Sequence, residues 1–288
     1  MHRMTQTTPI ITLLTDFGER DGYVGTMKGV MLDIVPHARL IDISHLVDPQ
    51  DVRQAASIIA EVYSHFPPHT VHLVVVDPGV GSERRAIALK TPRGSFIAPD
   101  NGVLTLIRRR EPAAAAYVLD NPGYWLPEPS KTFHGRDIFS PSAAHIANSV
   151  PLDVLGTPVD DLVDLPLGEP VIAPGSIRGE VFRVDHFGNI LTNITGLRWI
   201  DDQTAACYPT GLGSDPGEPV YLDAQSARIT IGRTTIDGLS QTYSQVSIGQ
   251  VLALIGSSGE LEISINQGNA QKELRVEAGD AVTIHFKS

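Results

Sequence analysis

The sequence predicts two domains of different class. Residues 1–150 read as an α/β domain, a mostly parallel sheet with helices on both faces, and 177–288 as an all-β, barrel-like domain. Three observations carry this reading. In the first half, short runs of branched apolar residues alternate with stretches of helical spacing, as in βαβ units. From Ile177 onward the period is two, in short runs parted by glycine-containing turns, which suits an antiparallel barrel or sandwich of about 110 residues. Between these halves, prolines at 151, 158, 166, 170 and 174 stand among Asp and Gly, so 151–176 reads as a connecting segment. A length of 288 residues agrees with two domains of roughly 150 residues each.

Taken in order, Ile10–Leu14 is an apolar run that stops at Thr15-Asp16-Phe17-Gly18. Val24, Met27, Val30, Met31 and Ile34 then recur at helical spacing until Pro36. Arg39–Ser44 reads as a second strand. Asp48-Pro49 opens the next helix, with Val52, Ala55, Ala56, Ile59, Val62 and Phe66 inward and Pro67-Pro68 as its stop. The stretch from Val71, VHLVVVDPGVGSERR, begins as a strand buried on both faces and breaks at Asp77-Pro78-Gly79. Ala86–Lys90, Ser95–Ala98 and Tyr117–Leu119 are further short strands. Pro99-Asp100-Asn101-Gly102 is a turn, followed by a short helix over Val103–Arg109. Thr132–Phe139 reads as a polar loop and Pro141–Asn148 as a helix. In the second half the strands are Gly179–Val184, Asn189–Ile194, Val220–Leu222, Ala227–Ile231, Val251–Ile255, Leu261–Ile265 and Ala281–Phe286.

Composition excludes several functions. With 42% hydrophobic and 19% charged residues the chain is an ordinary globular one. Its net charge of −11 argues against a nucleic-acid partner, which needs a basic face, yet admits a small cationic substrate. Cys207 is the only cysteine, so neither an intramolecular disulfide nor a cysteine metal cage can form. The first residues lack the apolar stretch of a signal peptide, and no run approaches the ~18 apolar residues of a membrane span. The expected location is therefore the cytoplasm, with no membrane partner.

Four clusters carry candidate chemistry. A carboxylate at the C-terminal end of a buried strand, followed by a glycine turn, is where open α/β sheets place ligands, and both Asp16 and Asp77 have that setting. Asp16 with Asp21 could hold vicinal hydroxyls, or both could cap the helix that starts near Gly22. Asp77 has Arg84 close by in sequence as an ion-pair partner, catalytic or structural. Thr132-Phe133-His134-Gly135-Arg136-Asp137 sets a histidine in a glycine-containing loop, while His145 on the next helix reads as packing. Asp185-His186-Phe187-Gly188-Asn189 and Asn266-Gln267-Gly268-Asn269 are turns whose side chains can make directional contacts to a purine or an amino-acid end. Familiar motifs are absent: Gly79-Val80-Gly81 lacks the third glycine of a dinucleotide fingerprint, and no Gly-Lys-Ser/Thr follows. Gly18 and Arg20 break any calcium loop, and His65, His69 and His72 lack acidic or cysteine partners, so no metal is expected.

Six motifs in one order, TDFGERDGYVG, VVVDPGVGSERR, PDNG, TFHGRD, DHFGNILTN and GSSGELEISINQGNA, together resemble the S-adenosyl-L-methionine hydroxide adenosyltransferase family, relatives of the fluorinating and chlorinating enzymes. The resemblance covers essentially the whole chain. It implies a homotrimer, each site lying between the N-terminal domain of one subunit and the C-terminal domain of the next. It also implies hydrolysis of S-adenosyl-L-methionine to adenosine and methionine by attack of water or hydroxide on the ribose 5′ carbon. The family's Asp-Arg-His set falls on Asp77, Arg84 and His134, and its ribose-binding acid on Asp16. Methionine-end contacts fall on Asp185 and Asn189, and adenine-end contacts on Ser257, Ser258, Asn266 and Gln267. Asp21, Phe133, Gly135, Tyr243 and Glu262 are further substrate contacts by the same resemblance. The halogenating relatives carry an uncharged residue at position 77; an anionic Asp77 would repel a halide, which favours water.

The chemistry needs no cofactor, because the sulfonium already makes methionine a good neutral leaving group. The chain must supply one oriented water. Arg84 stays protonated and cannot be a base. His134, with an ordinary pKa near ~6.5, is expected as proton acceptor slightly ahead of Asp77, near ~3.9. Two other readings are a halide-dependent 5′-halo-adenosine synthase and a protein that binds S-adenosylmethionine or adenosine without turning it over.

Overall fold

The computed structural model describes residues 8–208 and 217–287. The chain divides into two compact units, with the boundary between Leu165 and Pro166.

The first unit contains β1 (Ile10–Thr15), α1 (Tyr23–Ile34), β2 (Arg39–Ser44), α2 (Val52–Val62), β3 (Thr70–Val75), β4 (Ala86–Thr91), β5 (Gly94–Pro99), α3 (Thr105–Arg110), β6 (Ala115–Val118), α4 (Ser140–Ala147), α5 (Leu152–Leu155) and β7 (Thr157–Val159). They build one sheet in the order β2-β1-β3-β5-β4-β6-β7. Helices cover both faces, as expected: Met27, Met31, Ala143 and Ala144 of α1 and α4 pack with Ile11, Leu13, Leu73 and Val75. On the other face Ala55, Ala56, Ile59 and Ile107 of α2 and α3 pack with Leu14, Val74 and Phe96. Asp51, rather than Asp48, caps α2, its side chain accepting from Gln54 N.

The sheet is mixed rather than mostly parallel. β1, β2, β3 and β5 run parallel, whereas β4, β6 and β7 pair antiparallel. The cause is the connection between β4 and β5: only Pro92 and Arg93 separate them, and two residues close a hairpin but cannot make a crossover. α5 and β7 arise from the proline-rich stretch, and β7 adds to the sheet edge against β6.

A second difference lies ahead of α4. The segment Gly135–Phe139, expected as loop, is a π-helical turn that runs directly into α4. Pro141 explains it. Its ring would crowd the carbonyl four residues back, that of Asp137, and it has no N–H to donate. The wider turn turns that carbonyl outward, where it accepts from Leu126 N at 2.8 Å. The Ser140 N–H reaches back to the Gly135 carbonyl, and its Oγ donates to the same oxygen at 2.7 Å.

The second unit is antiparallel β, as expected. It contains β8 (Val171–Ala173), β9 (Ser176–Val184), β10 (Ile190–Thr192), β11 (Leu197–Trp199), β12 (Thr204–Cys207), β13 (Val220–Asp223), β14 (Arg228–Ile231), β15 (Thr234–Asp237), β16 (Val251–Ile255), β17 (Leu261–Ile265), a short helix α6 (Ala270–Leu274) and β18 (Ala281–His285). The main path is β15-β14-β18-β9-β10-β17-β16, with β8 on β9 and a separate ribbon β11-β12-β13. Chain leaving β15 returns to the far end of that path, where Ser240 N donates to Ala253 O at 2.8 Å. The sheet is thus nearly closed, around a core that includes Ile177, Val181, Ile229, Leu261, Ile263 and Ile284.

One core residue makes stability depend on pH. His72 on β3 is fully buried, stacked on Phe96 with 4.8 Å between centroids, its Nδ1 2.8 Å from Thr12 Oγ1. Burial pushes its pKa down to about 4. The unfolded chain therefore binds one more proton than the folded one between about pH 6.5 and 4, and stability falls as pH drops through that window. His72→Phe is expected to flatten this dependence by on the order of 3 kcal/mol in urea unfolding at pH 7 against pH 4. An unchanged pH slope would show that His72 is not its source.

Candidate active site

Two neighbouring strands aim the first carboxylates. β1 and β3 are parallel, with Thr15 beside Val75, so Asp16 and Asp77 emerge at the same C-terminal sheet edge. Period-two alternation separates their directions. Asp77 continues the Leu73–Val75 face toward α4, whereas Asp16 continues the Leu14 face toward α2 and accepts a hydrogen bond from Gln50 N at 2.8 Å. Asp21 is exposed, and no side chain caps α1 at Gly22. The capping alternative for these two acids is therefore not what the structure uses.

Asp77, Arg84 and His134 come together. The Arg84 side chain is 10% exposed and that of Asp77 5%. Arg84 Nε donates to Asp77 Oδ1 at 2.9 Å and Oδ2 at 3.1 Å, and its Nη2 also reaches Oδ2. The same Nη2 lies 2.7 Å from His134 Nδ1. Guanidinium only donates, so Nδ1 must be the acceptor and the imidazole proton sits on Nε2. Burial, and after it the Arg84 charge, holds the His134 pKa below its ordinary value, with Asp77, Asp137 and a hydrogen bond to the Ser130 backbone opposing. Arg84 also lies over the Phe139 ring, 5.1 Å from its centroid.

Two loops must meet for this contact, and two glycines allow it. Gly81 has φ +79°, and a Cβ there would fall 2.4 Å from the Lys131 carbonyl oxygen, so the 77–85 loop lies directly on the 130–134 loop. A Cβ on Gly135 would press Met27, Phe133 and Phe17 at 3.3 Å each. The π-helical turn begins immediately after His134 and holds buried Asp137, whose carboxylate takes Arg136 and Ser130 N. Burial raises the Asp137 pKa, but those hydrogen bonds outweigh it and keep the carboxyl below its ordinary value.

Sequence reasoning named Phe133 but overlooked the two rings that pack on it. Phe17, Tyr23 and Phe133 meet edge to face, with centroids 5.3 to 5.9 Å apart. Tyr23 is half exposed, so the group offers an apolar surface beside the sheet edge. Phe17 and Tyr23 both lie in the TDFGERDGYVG stretch, but nothing in their spacing pairs them with Phe133.

In the second unit Asp185 closes its own turn, accepting from Phe187 N at 2.8 Å, Asn189 N at 2.9 Å and Asn189 Nδ2 at 2.9 Å. Phe187 stands out at 72% exposure. Tyr243 Oη donates to buried Glu262 at 2.6 Å, as does Ser264 Oγ at 2.7 Å. Burial, and then the carboxylates of Glu262, Asp185 and Glu260, raise the Tyr243 pKa. Asp185, Tyr243 and Glu262 thus share one electronegative region. The two segments assigned by resemblance to adenine do not come together within the unit. Ser257 and Ser258 are exposed at the head of β17, while Asn266 and Gln267 follow its other end, about 17 Å away for five extended residues. The latter pair lies instead beside the Asp185 turn, where Gln271 N donates to Gly188 O at 3.0 Å, and Asn266 Nδ2 is spent on Val246 O at 2.8 Å.

Comparison with known proteins identifies the relatives of the chain. The family model described as the SAM hydroxide adenosyltransferase N-terminal domain matches residues 11–156, and its C-terminal counterpart matches 179–283. The chain is 35% identical to an (R)-S-adenosyl-L-methionine hydrolase of Salinispora tropica, over 96% of this chain and 98% of the relative. It is 34% identical to one of Thermus thermophilus, over 95% and 98%. A fluorinase of Nocardia brasiliensis is more distant, 28% identical over 96% of each chain. Among solved structures, an uncharacterized conserved protein from Thermotoga maritima superposes with a TM-score of 0.81 at 36% identity, covering 96% of this chain and 99% of that one.

The loop contact gives a direct comparison. Gly81→Ala adds both a left-handed backbone penalty and a clash with Lys131, whereas Gly18→Ala, at φ +69° with nothing within 4 Å, adds only the backbone penalty. Each is expected to cost about 1–2 kcal/mol for its φ, and Gly81→Ala measurably more in chemical unfolding. Equal costs would contradict the packing described.

Proposed function

The chain belongs to the SAM hydroxide adenosyltransferase family, and on that premise we propose that it hydrolyses S-adenosyl-L-methionine to adenosine and L-methionine. The observation that carries the reading is the buried Asp77–Arg84–His134 contact at a sheet edge. In the proposed reaction a water held there attacks the ribose 5′ carbon. The new C5′–O bond forms as the C5′–S bond breaks, its electron pair neutralises the sulfonium, and methionine departs as a thioether. The proton released by water passes to the site.

The geometry favours Asp77 over His134 as the acceptor of that proton, reversing the order expected from ordinary pKa values. His134 Nδ1 is engaged by Arg84 and Nε2 carries the proton, so the imidazole has no open lone pair. Its proposed role is to accept from Arg84 and so fix the guanidinium against Asp77. A carboxylate keeps acceptor capacity beyond its bonds to Arg84. Arg84 holds both partners and offsets the buried charge of Asp77. Asp16 is proposed to bind the ribose hydroxyls, and Phe17, Tyr23 and Phe133 to exclude solvent from the reacting carbon. Asp185, Glu262 and Tyr243 supply the negative region suited to a cationic amino-acid end. No metal or cofactor is proposed, because the leaving group arrives activated.

We also propose a homotrimer with each site completed by a neighbouring subunit, and a cytoplasmic location. The trimer rests on family resemblance, and light scattering tests it. Among the described residues no helix is long and apolar enough to cross a membrane.

Incubation with S-adenosyl-L-methionine in ¹⁸O-labelled water, without halide, is expected to place label in the adenosine 5′ hydroxyl and none in methionine. A halo-nucleoside formed only with halide, or unaltered substrate, would replace this reading. Turnover should also be level from pH 8 to below pH 6.5 and fall at lower pH, because protonated His134 would face the Arg84 charge and its pKa is held low. A fall already centred above pH 7 would contradict the neutral imidazole.

A further inference from the structure

The Pro99-Asp100-Asn101-Gly102 turn plays no part in the chemistry just proposed, yet it grips both ends of the loop that supplies Asp77 and Arg84. The β3 ladder ends at Val75 against β1 and at Leu73 against β5. Val76, one residue further, is fully buried, and its carbonyl lies beyond the ladder. Asn101 Nδ2 supplies the missing donor, at 2.9 Å from Val76 O. At the other end of the loop Asp100 N donates to Arg85 O at 2.9 Å. Arg85 Nε returns a bond to Asp100 Oδ2 at 2.8 Å, and the Asp100 side chain is 3% exposed.

The residues held are Val76, immediately before Asp77, and Arg85, immediately after Arg84. The turn is itself braced. Asn101 Oδ1 accepts from Val103 N at 3.2 Å, and Asp100 Oδ1 from Val163 N at 2.9 Å. A buried carbonyl without a donor would reorganise to find one, and the adjoining Asp77 would move with it.

We infer that Asn101, seconded by Asp100, is a positioning residue that sets the Asp77 and Arg84 side chains against His134 by pinning the backbone on either side of their loop. Its consequence for turnover rests on the hydrolase reading. The consequence for the His134 contact does not.

Asn101→Asp tests this with little change of shape: it keeps the acceptor used by Val103 and loses the donor used by Val76. Asn101→Ala is the second variant. Both are expected to lower kcat by about 10- to 100-fold with KM within about threefold of wild type, since a misplacement near 1 Å at the reacting groups has that scale. In an Asp77→Asn background the Asn101 substitution should add less than about twofold, because it acts through a group already removed. A kcat within twofold of wild type, or a full multiplicative loss in the Asp77→Asn background, would overturn the proposal. The ¹⁵N shifts of His134 provide a readout independent of turnover. Wild type should show an acceptor Nδ1 and protonated Nε2, and Asn101→Asp a shifted tautomer balance. If wild type makes no adenosine, the hydrolase reading fails, and these shifts alone decide the positioning claim. Identical spectra would overturn it.

Discussion

A single guanidinium shared between a carboxylate and a neutral imidazole organises the site. Arg84 donates to Asp77 with Nε and Nη2 and to His134 with Nη2. The three groups sum to no net charge, which lets them be mostly buried together. Burying an ion pair is costly, and losing one partner leaves the other uncompensated. The constraint also sets protonation: an imidazole accepting from arginine at Nδ1 must be neutral and must present N–H from its other nitrogen. The proposed division of labour, with the carboxylate as proton acceptor and the imidazole as an anchor for the guanidinium, follows from that one contact.

Much of the surrounding structure keeps these loops in place. Parallel β1 and β3 deliver Asp16 and Asp77 to one sheet edge on opposite faces. Gly81 lets the Asp77–Arg84 loop sit on the Lys131 backbone, and Gly135 lets Met27 and two aromatic rings close around the turn after His134. Pro141 widens that turn into a π-helix, which frees the Asp137 carbonyl for Leu126. The left-handed Gly81 and the π-helical turn are departures from regular geometry, and both lie within a few residues of the Arg84 contact.

Fold class was legible in the residues because its signal is local. Alternation of period two and near-3.6 spacing identified every helix-covered strand of the first unit from β1 through β5, and β9, β10, β13, β14, β16, β17 and β18 of the second. Strand direction was not legible, since it depends on whether a connection crosses the sheet, and the two-residue link between β4 and β5 forces antiparallel pairing. β8, β11, β12 and β15, each three or four residues long, were missed: β8 lies in the proline-rich stretch, and the others stand in no longer alternating run. The site was only partly legible. Asp77 and Arg84 are near in sequence, but His134 joined them through family resemblance, since nothing in a composition or period links residues 50 apart. The order proposed here for the two possible bases differs from the one ordinary pKa values suggest, because it depends on which lone pair Arg84 occupies. Likewise, resemblance grouped Ser257–Ser258 with Asn266–Gln267, and strand β17 stands between them.

The most direct measurement is a double-substitution cycle in turnover at Asp77 and Arg84. If one guanidinium–carboxylate unit holds the attacking water, Asp77→Ala with Arg84→Ala together should be no slower than the worse single variant, within about threefold. Losses that multiply would mean that the two side chains act separately, and the account of the site as one unit would be wrong.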